Sequence, residues 1–152
     1  MIRIVEDDLS GAEVRALLAL HHATMHADSP PGQAFALDLD GLRVPQITVW
    51  SAWRDGSLAG IGALRDLGDA TGEVKSMRTH PEHLRQGVAA AILEQIIAVA
   101  SARGMARVSL ETGRGPAFEP ALALYRGRGF VDGAPFGDYA ASDFNQFLHL
   151  KL

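Results

Sequence analysis

Glu73-Val74-Lys75-Ser76-Met77-Arg78-Thr79-His80-Pro81-Glu82-His83-Leu84-Arg85-Gln86-Gly87-Val88-Ala89-Ala90-Ala91-Ile92-Leu93 is the stretch whose reading decides the fold. A strand runs into a polar turn, and Gly87 with its small neighbours opens a strongly apolar helix. Such a junction aims the unpaired N–H groups of the first helical turn, and the positive end of the helix dipole, at one spot. That spot suits an anion, a pyrophosphate in particular. Gly87, Ala89 and Ala90 keep side-chain bulk away from the backbone, and Arg85 adds a cation. The spacing matches neither G-x-G-x-x-G nor G-x-x-x-x-G-K-[ST], so the Rossmann and Walker phosphate loops are excluded. Taken alone, the stretch also reads as an ordinary helix start with no ligand.

Upstream, Ile47 to Trp53 and Leu58 to Leu67 read as strands joined by a hairpin at Arg54-Asp55-Gly56-Ser57. Glu73 to Thr79 is the third strand of this meander. Before it come a short strand at Met1 to Val5 and a helix carrying Val14, Leu17, Leu18 and His21 at helical spacing. Ser10 and Glu13 have the S-x-x-E spacing of a capping box for that helix. Asp28-Ser29-Pro30-Pro31-Gly32 must be a loop, and Phe35 to Leu42 reads as a second short helix. Downstream, the helix from Gly87 to Arg103 ends at Gly104, a natural left-handed cap. Arg107 to Glu111 is a strand, Phe118 to Arg126 a helix, and Phe144 to Leu152 a closing strand. The order β-α-α-β-β-β-α-β-α-β-β predicts an α/β fold with a mixed sheet.

The chain has 152 residues, 47% hydrophobic and 21% charged, with no repeat or linker, so residues 1–152 read as a single domain. The absence of cysteine excludes a disulfide scaffold, a Cys-based zinc site and a thiol nucleophile. A formal charge of −4 offers no basic face for nucleic acid and no polybasic membrane patch. No apolar run is long enough to span a bilayer, and the start lacks the basic and apolar regions of a signal peptide. A cytoplasmic protein is the resulting expectation. His21, His22 and His26 include an i,i+4 pair, but without H-E-x-x-H they read as packed or solvent-facing residues, and no metal is expected.

Considered together, several segments carry a family resemblance. They include Ser29-Pro30-Pro31, Ala36-Leu37, Trp50-Ser51-Ala52-Trp53, Gly72-Glu73-Val74-Lys75-Ser76-Met77-Arg78-Thr79, Leu84-Arg85-Gln86-Gly87-Val88-Ala89 and Leu110-Glu111-Thr112-Gly113. Phe118-Glu119-Pro120, Tyr125-Arg126-Gly127-Arg128-Gly129-Phe130 and Pro135-Phe136-Gly137-Asp138-Tyr139 complete them. Over essentially its full length the chain resembles the GNAT family of acetyl-CoA-dependent N-acetyltransferases, and within it the small bacterial YsnE-like branch. The resemblance implies a GNAT fold, a mixed central sheet whose splayed strands receive acetyl-CoA between flanking helices. The family's cofactor loop, [QR]-x-x-G-x-[GA], is met at Gly87 and Ala89 but has Leu84 at its first position. Arg85 or Gln86 is then expected to supply the polar contact.

Acetyl transfer to an amine requires the donor to be held, the amine deprotonated, the oxyanion stabilised and the thiolate protonated. By resemblance, the backbone of Met77, Arg78 and Thr79 pairs with the pantetheine arm and polarises the thioester carbonyl. Leu84, Arg85, Gln86, Gly87, Val88, Ala89 and Ala90 form the pyrophosphate loop. Tyr125 is the implied general acid. A free phenol at about 10 is a weaker acid than a thiol at about 8.5, so the site is expected to favour the phenolate modestly. Packing is the other reading of Tyr125, which shares a helical face with Leu122.

Glu73 is the leading base, because a primary amine with a pKa near about 10.4 must lose a proton before attack. In a regular strand Glu73, Lys75, Met77 and Thr79 face the same way, although a bulge would change that parity. An ion pair with Lys75 or Arg78 is the structural alternative for Glu73. Glu111, at the end of the next strand, is the rival base or a site for substrate charge. Pro31, Trp50, Trp53, Thr112 and Phe118 are candidate substrate contacts, within a wider set spanning Pro30 to Leu42 and Pro135 to Tyr139. The expected reaction is direct acetyl transfer from acetyl-CoA to a small-molecule amine. Protein lysines or N-termini as acceptors, longer acyl groups, and a non-catalytic acyl-CoA sensor remain as alternatives. The closing strand, Phe144 to Leu152, offers an edge for a homodimer.

Overall fold

The computed structural model describes residues 1–152. Seven strands form one sheet: β1 (Ile2–Glu6), β2 (Ile47–Arg54), β3 (Ser57–Gly68), β4 (Thr71–Thr79), β5 (Arg107–Thr112), β6 (Val131–Asp132) and β7 (Gln146–Lys151). Their order is β1-β2-β3-β4-β5-β7-β6, and all pairs are antiparallel except β4 with β5. Helices α1 (Ala12–Ala27) and α2 (Leu39–Leu42) cover one face; α3 (Val88–Ala102) and α4 (Glu119–Arg128) cover the other. The element order agrees with the sequence reading. No helix is long and apolar enough to cross a membrane.

Helix α3 buries Val88, Ile92, Leu93, Ile96, Ile97 and Ala100, a continuous stripe at helical spacing. It lies directly on β3, where a Cβ at Gly62 would come within 2.7 Å of the Met77 sulfur and closer still to Ile92. Glycine at this position lets helix and sheet meet. The opposite face carries a second core in which Val14, Leu17 and Leu18 pack on Val49, Ile61 and Ala63. The β2–β3 hairpin turns at Asp55 (φ 51°) and Gly56 (φ 81°), the two left-handed residues that a tight hairpin needs.

Several boundaries depart from expectation. The capping box does not form: α1 begins after Gly11 with no side-chain cap, and the Ser10 hydroxyl donates to Asp8 at 2.6 Å. Asp8 also accepts from the Ser10 N–H at 3.0 Å, so a local turn captures the hydroxyl first. The second helix spans only Leu39–Leu42, because the Asp38 side chain accepts from the Gly41 N–H and caps a helix there. The closing strand starts at Gln146 and is paired with β5 on one side and β6 on the other. It is therefore not the free edge expected of a dimer strand.

Ile61 pairs with Arg78 while Ala63 pairs with Lys75, so three steps along β4 oppose two along β3. The extra residue forms a bulge in which Ser76 takes a left-handed conformation (φ 56°). Beyond Glu73 and Ser109 the β4–β5 ladder stops, and the two strands part.

Candidate active site

The gap between β4 and β5 is a slot of about 170 Å³. Val74, Lys75, Ser76, Met77 and Arg78 form one wall, Leu110, Glu111, Thr112 and Gly113 the other, and Tyr125 lines it from α4. The backbone groups along this edge of β4 have no strand partner, and the Ser76 hydroxyl is buried without a hydrogen bond. Buried polar groups are normally satisfied, so this edge is one that an extended, amide-bearing ligand could complete.

The bulge also answers the question of parity. Lys75 lies opposite Ala63, on the α1 face, whereas Met77 contacts the α3 side near Gly62. Glu73 and Lys75 thus share a face that Met77 does not, contrary to the regular-strand expectation. Glu73 is ion-paired with Lys75 at 3.2 Å, as the alternative reading held, but the pair is buried rather than superficial, with side chains 3% and 8% exposed. Tyr139, from the segment between β6 and β7, completes the group: its hydroxyl donates to Glu73 at 2.5 Å and accepts from Lys75 at 2.8 Å. Sequence reasoning included Tyr139 only as a pocket-lining aromatic. The pairing itself spans 64 and 66 residues and has no local signal.

Glu111 enters the slot from β5. Burial, with a smaller push from the Glu73 charge, raises its carboxyl to about 7, while Lys75 and Asn145 oppose the rise. Tyr125 is buried and stacks edge-on with Phe130 at 5.6 Å; its backbone carbonyl accepts from the Phe130 N–H at 3.0 Å, and its hydroxyl has no partner in the chain. Burial pushes its hydroxyl above the usual tyrosine range. That is the reverse of the modest phenolate stabilisation expected. The slot brings Glu73, Glu111 and Tyr125 together, with Thr112 and Phe118 beside them.

Three of the expected substrate contacts lie elsewhere. Trp50 is 3% exposed and belongs to the core beneath α3. Trp53 packs against the α1 core and donates its indole N–H to Ser51 at 2.9 Å. Pro31 is exposed and lines neither the slot nor the cavity beside it. Aromatic character alone did not separate core from pocket, because strand parity decides which face a tryptophan takes. Phe35, from the wider set spanning Pro30 to Leu42, does line the slot, together with His21 and Phe144, which sequence did not single out as pocket residues. His21 accepts from the Arg78 Nε–H at 2.9 Å, and burial followed by the Arg78 charge drives its pKa down to about 3. The Arg78 side chain is thereby held against α1, and both it and His21 border the slot. His22 and His26 face each other with ring nitrogens 3.2 Å apart, and no third His, Cys, Asp or Glu joins them.

The loop before α3 has the geometry of an anion cradle. Arg85 (φ 60°) and Gly87 (φ 82°) are both left-handed, and the first helical bond runs from the Ala91 N–H to the Gly87 carbonyl at 3.0 Å. The N–H groups of Val88, Ala89 and Ala90 therefore precede the first donor, Ala91, and stay free. Val88 is buried against the sheet, while Leu84 is 58% exposed and Thr79 pairs with Gly60 on β3. The Gln86 amide oxygen accepts from the Arg54 guanidinium, and the Gln86 amide N–H groups and the Arg85 guanidinium have no partner in the chain.

A second, larger cavity of about 860 Å³ adjoins the slot on the α1 face. Phe35, Ala36, Glu73 and Lys75 line both spaces and form the partition between them.

Residues 14–130 match the model of the Acetyltransferase (GNAT) family. The uncharacterized N-acetyltransferase YedL of Escherichia coli (strain K12) is 47% identical over 152 residues, all of this chain and 96% of its own length. The uncharacterized N-acetyltransferase YsnE of Bacillus subtilis (strain 168) is 48% identical over 146 residues, 96% of this chain and 97% of its own. A crystal structure from Klebsiella pneumoniae, described as an acyl-CoA N-acyltransferase, superposes with a TM-score of 0.84 at 25% identity, covering 100% of this chain and 98% of that one. Splayed parallel strands, a glycine-led helix start and full-length likeness to N-acetyltransferases agree, and the chain belongs to the GNAT family of acetyltransferases.

Proposed function

We propose that this acetyltransferase moves the acetyl group of acetyl-CoA directly to the primary amine of a small molecule. The observation that carries the reading is the slot itself, where Glu111, Glu73 and Tyr125 meet beside an unpaired strand edge. In this arrangement the pyrophosphate rests on the N–H groups opening α3 and the pantetheine arm pairs with β4. The amine nitrogen attacks the thioester carbon, forming the C–N bond as the C–S bond breaks. Glu111 takes the ammonium proton, since a carboxyl held at about 7 is matched to that task near neutral pH. Glu73, already paired with Lys75 and Tyr139, acts as the fixed charge beside it rather than as the base. Backbone N–H groups near Met77 stabilise the oxyanion. Tyr125 enters with its proton in place, hydrogen-bonds the sulfur as negative charge builds there, supplies the proton that the thiolate gains, and recovers one from the second proton that the nitrogen releases as the amide forms. The adjoining cavity has the volume of a small-molecule site, which favours a small acceptor over a protein tail.

Calorimetric titration of the wild type and Gly87→Val with acetyl-CoA tests this reading. A Cβ at Gly87 meets nothing within 4 Å, but any side chain is strained at φ +82°, so circular dichroism first establishes that the variant is folded. Binding by the wild type, lost in the variant, is expected, followed by thiol release on addition of amines. No binding by folded wild type overturns the proposal.

A further inference from the structure

The charged groups around the larger cavity differ in how far they are already committed. Lys75 is held by Glu73 and Tyr139. Asp66 accepts from the Gly68 N–H at 2.8 Å and closes the β3–β4 turn. Asp138 lies exposed at the rim. Arg65 alone among the basic side chains lining this cavity has neither an ion pair nor a hydrogen bond within the chain. It pairs across the sheet with Glu73 and so projects from the face that carries the Glu73–Lys75–Tyr139 group. Arg65 is exposed, so its guanidinium stands at the open edge of the cavity. Around it the walls are apolar: Leu37, Val44, Ile47, Leu67 and Phe136.

We infer that the acceptor is an amine that also bears a carboxylate and a large apolar group, in the manner of an apolar amino acid, with Arg65 holding the carboxylate. A guanidinium presents a planar fork that matches a carboxylate through two parallel hydrogen bonds. Set at the edge of an apolar cavity, it fixes the orientation of a ligand whose bulk is held by Phe136 and its neighbours. The amine of that ligand is then directed past Glu73 and Lys75, which border both spaces, toward Glu111. An amine beside a carboxylate-bearing carbon is also less basic than a simple alkylamine, which eases its deprotonation by a carboxyl poised near neutrality. The inference rests on the acetyl-transfer reading above and adds the chemical class of the acceptor to it.

Matched acceptor pairs test it: L-phenylalanine against 2-phenylethylamine, and L-leucine against 3-methylbutylamine, each followed by acetyl-CoA-dependent thiol release. The wild type is expected to show a kcat/KM at least tenfold higher for the amino acid of each pair. Arg65→Met is expected to abolish that preference, and Arg65→Lys to restore part of it through charge without the fork. Titration of each variant with CoA reports whether it has folded. Equal or better turnover of the amines lacking the carboxylate overturns the inference while leaving acetyl transfer intact, as does an Arg65→Met variant that keeps the preference. Turnover of none of the four by a protein that binds acetyl-CoA also overturns it. Failure to bind acetyl-CoA at all removes the underlying reading instead.

Discussion

The Tyr139 hydroxyl donates a 2.5 Å hydrogen bond to the Glu73 carboxylate across 66 residues of chain. Through it the segment between β6 and β7 is fastened to the middle of β4, beside the bulge that opens the slot. Phe35 packs edge-on against the same tyrosine at 5.3 Å, so the segment between α1 and α2 is drawn to the same point. Ser142 donates to Gln33 at 2.9 Å and links the two segments again. Burial, and then the Glu73 charge, push the Tyr139 hydroxyl well above the usual tyrosine range, which keeps it a donor. The wall between the two cavities is a satisfied polar network, which rigidifies the site around it.

Glu111 should set the pH dependence of turnover. With its carboxyl at about 7, kcat/KM is expected to rise through that pH as the base ionises and to level above it. Glu111→Gln should remove this limb and lower kcat by about 100-fold. A limb that survives in Glu111→Gln belongs to another group.

The same shift affects stability. The folded value lies above the ordinary carboxyl value of 4.5, so the protonated form favours the folded state. That contribution is complete below the unfolded value and is lost as pH rises through about 7. Relative to wild type, Glu111→Gln should gain roughly 1–2 kcal/mol near about pH 8, after allowance for partial solvent access, and less in acid. Urea denaturation at the two pH values measures the difference.

Lys75 and Glu73 pull Glu111 in opposite directions, the first lowering its pKa and the second raising it. Lys75→Met should therefore move the kinetic limb to higher pH, and Glu73→Gln to lower pH. Each breaks a buried pair, with an expected cost of about 3 kcal/mol measured by denaturation. Shifts in one common direction would refute the arrangement.

Tyr125→Phe should lower kcat by about 100-fold while leaving CoA affinity within twofold in titration. Its hydroxyl has no hydrogen-bond partner in the chain, so stability should change by less than about 0.5 kcal/mol. An unchanged kcat would recast the residue as a packing aromatic.

Gly113 is wedged between Phe118 and Phe144, and a Cβ there would approach the Phe118 ring to 2.7 Å. Both rings line the slot. Gly113→Ala should force them into it, raising KM for acetyl-CoA severalfold and costing about 1–3 kcal/mol. Unchanged kinetics with unchanged stability would show that the rings can move aside freely.

The sequence by itself determined what depends on neighbours along the chain. The apolar stripe from Val88 to Ala100, the hairpin at Asp55-Gly56 and the helix start at Gly87 are all short-range patterns, and the element order follows from them. Glu73, Glu111 and Tyr125 were legible as candidates because each sits at a recognisable place in that order. Tertiary structure alone decided how they meet. The bulge at Ser76 arises from the register of β4 against β3, and it reverses the face on which Met77 lies relative to Glu73. A period of two read along the strand contains no record of that inserted step. The elevated Glu111 carboxyl, the burial of Trp50 and the Glu73–Tyr139 bond likewise come from groups distant in sequence, whose burial and charge act only once the sheet has closed around them.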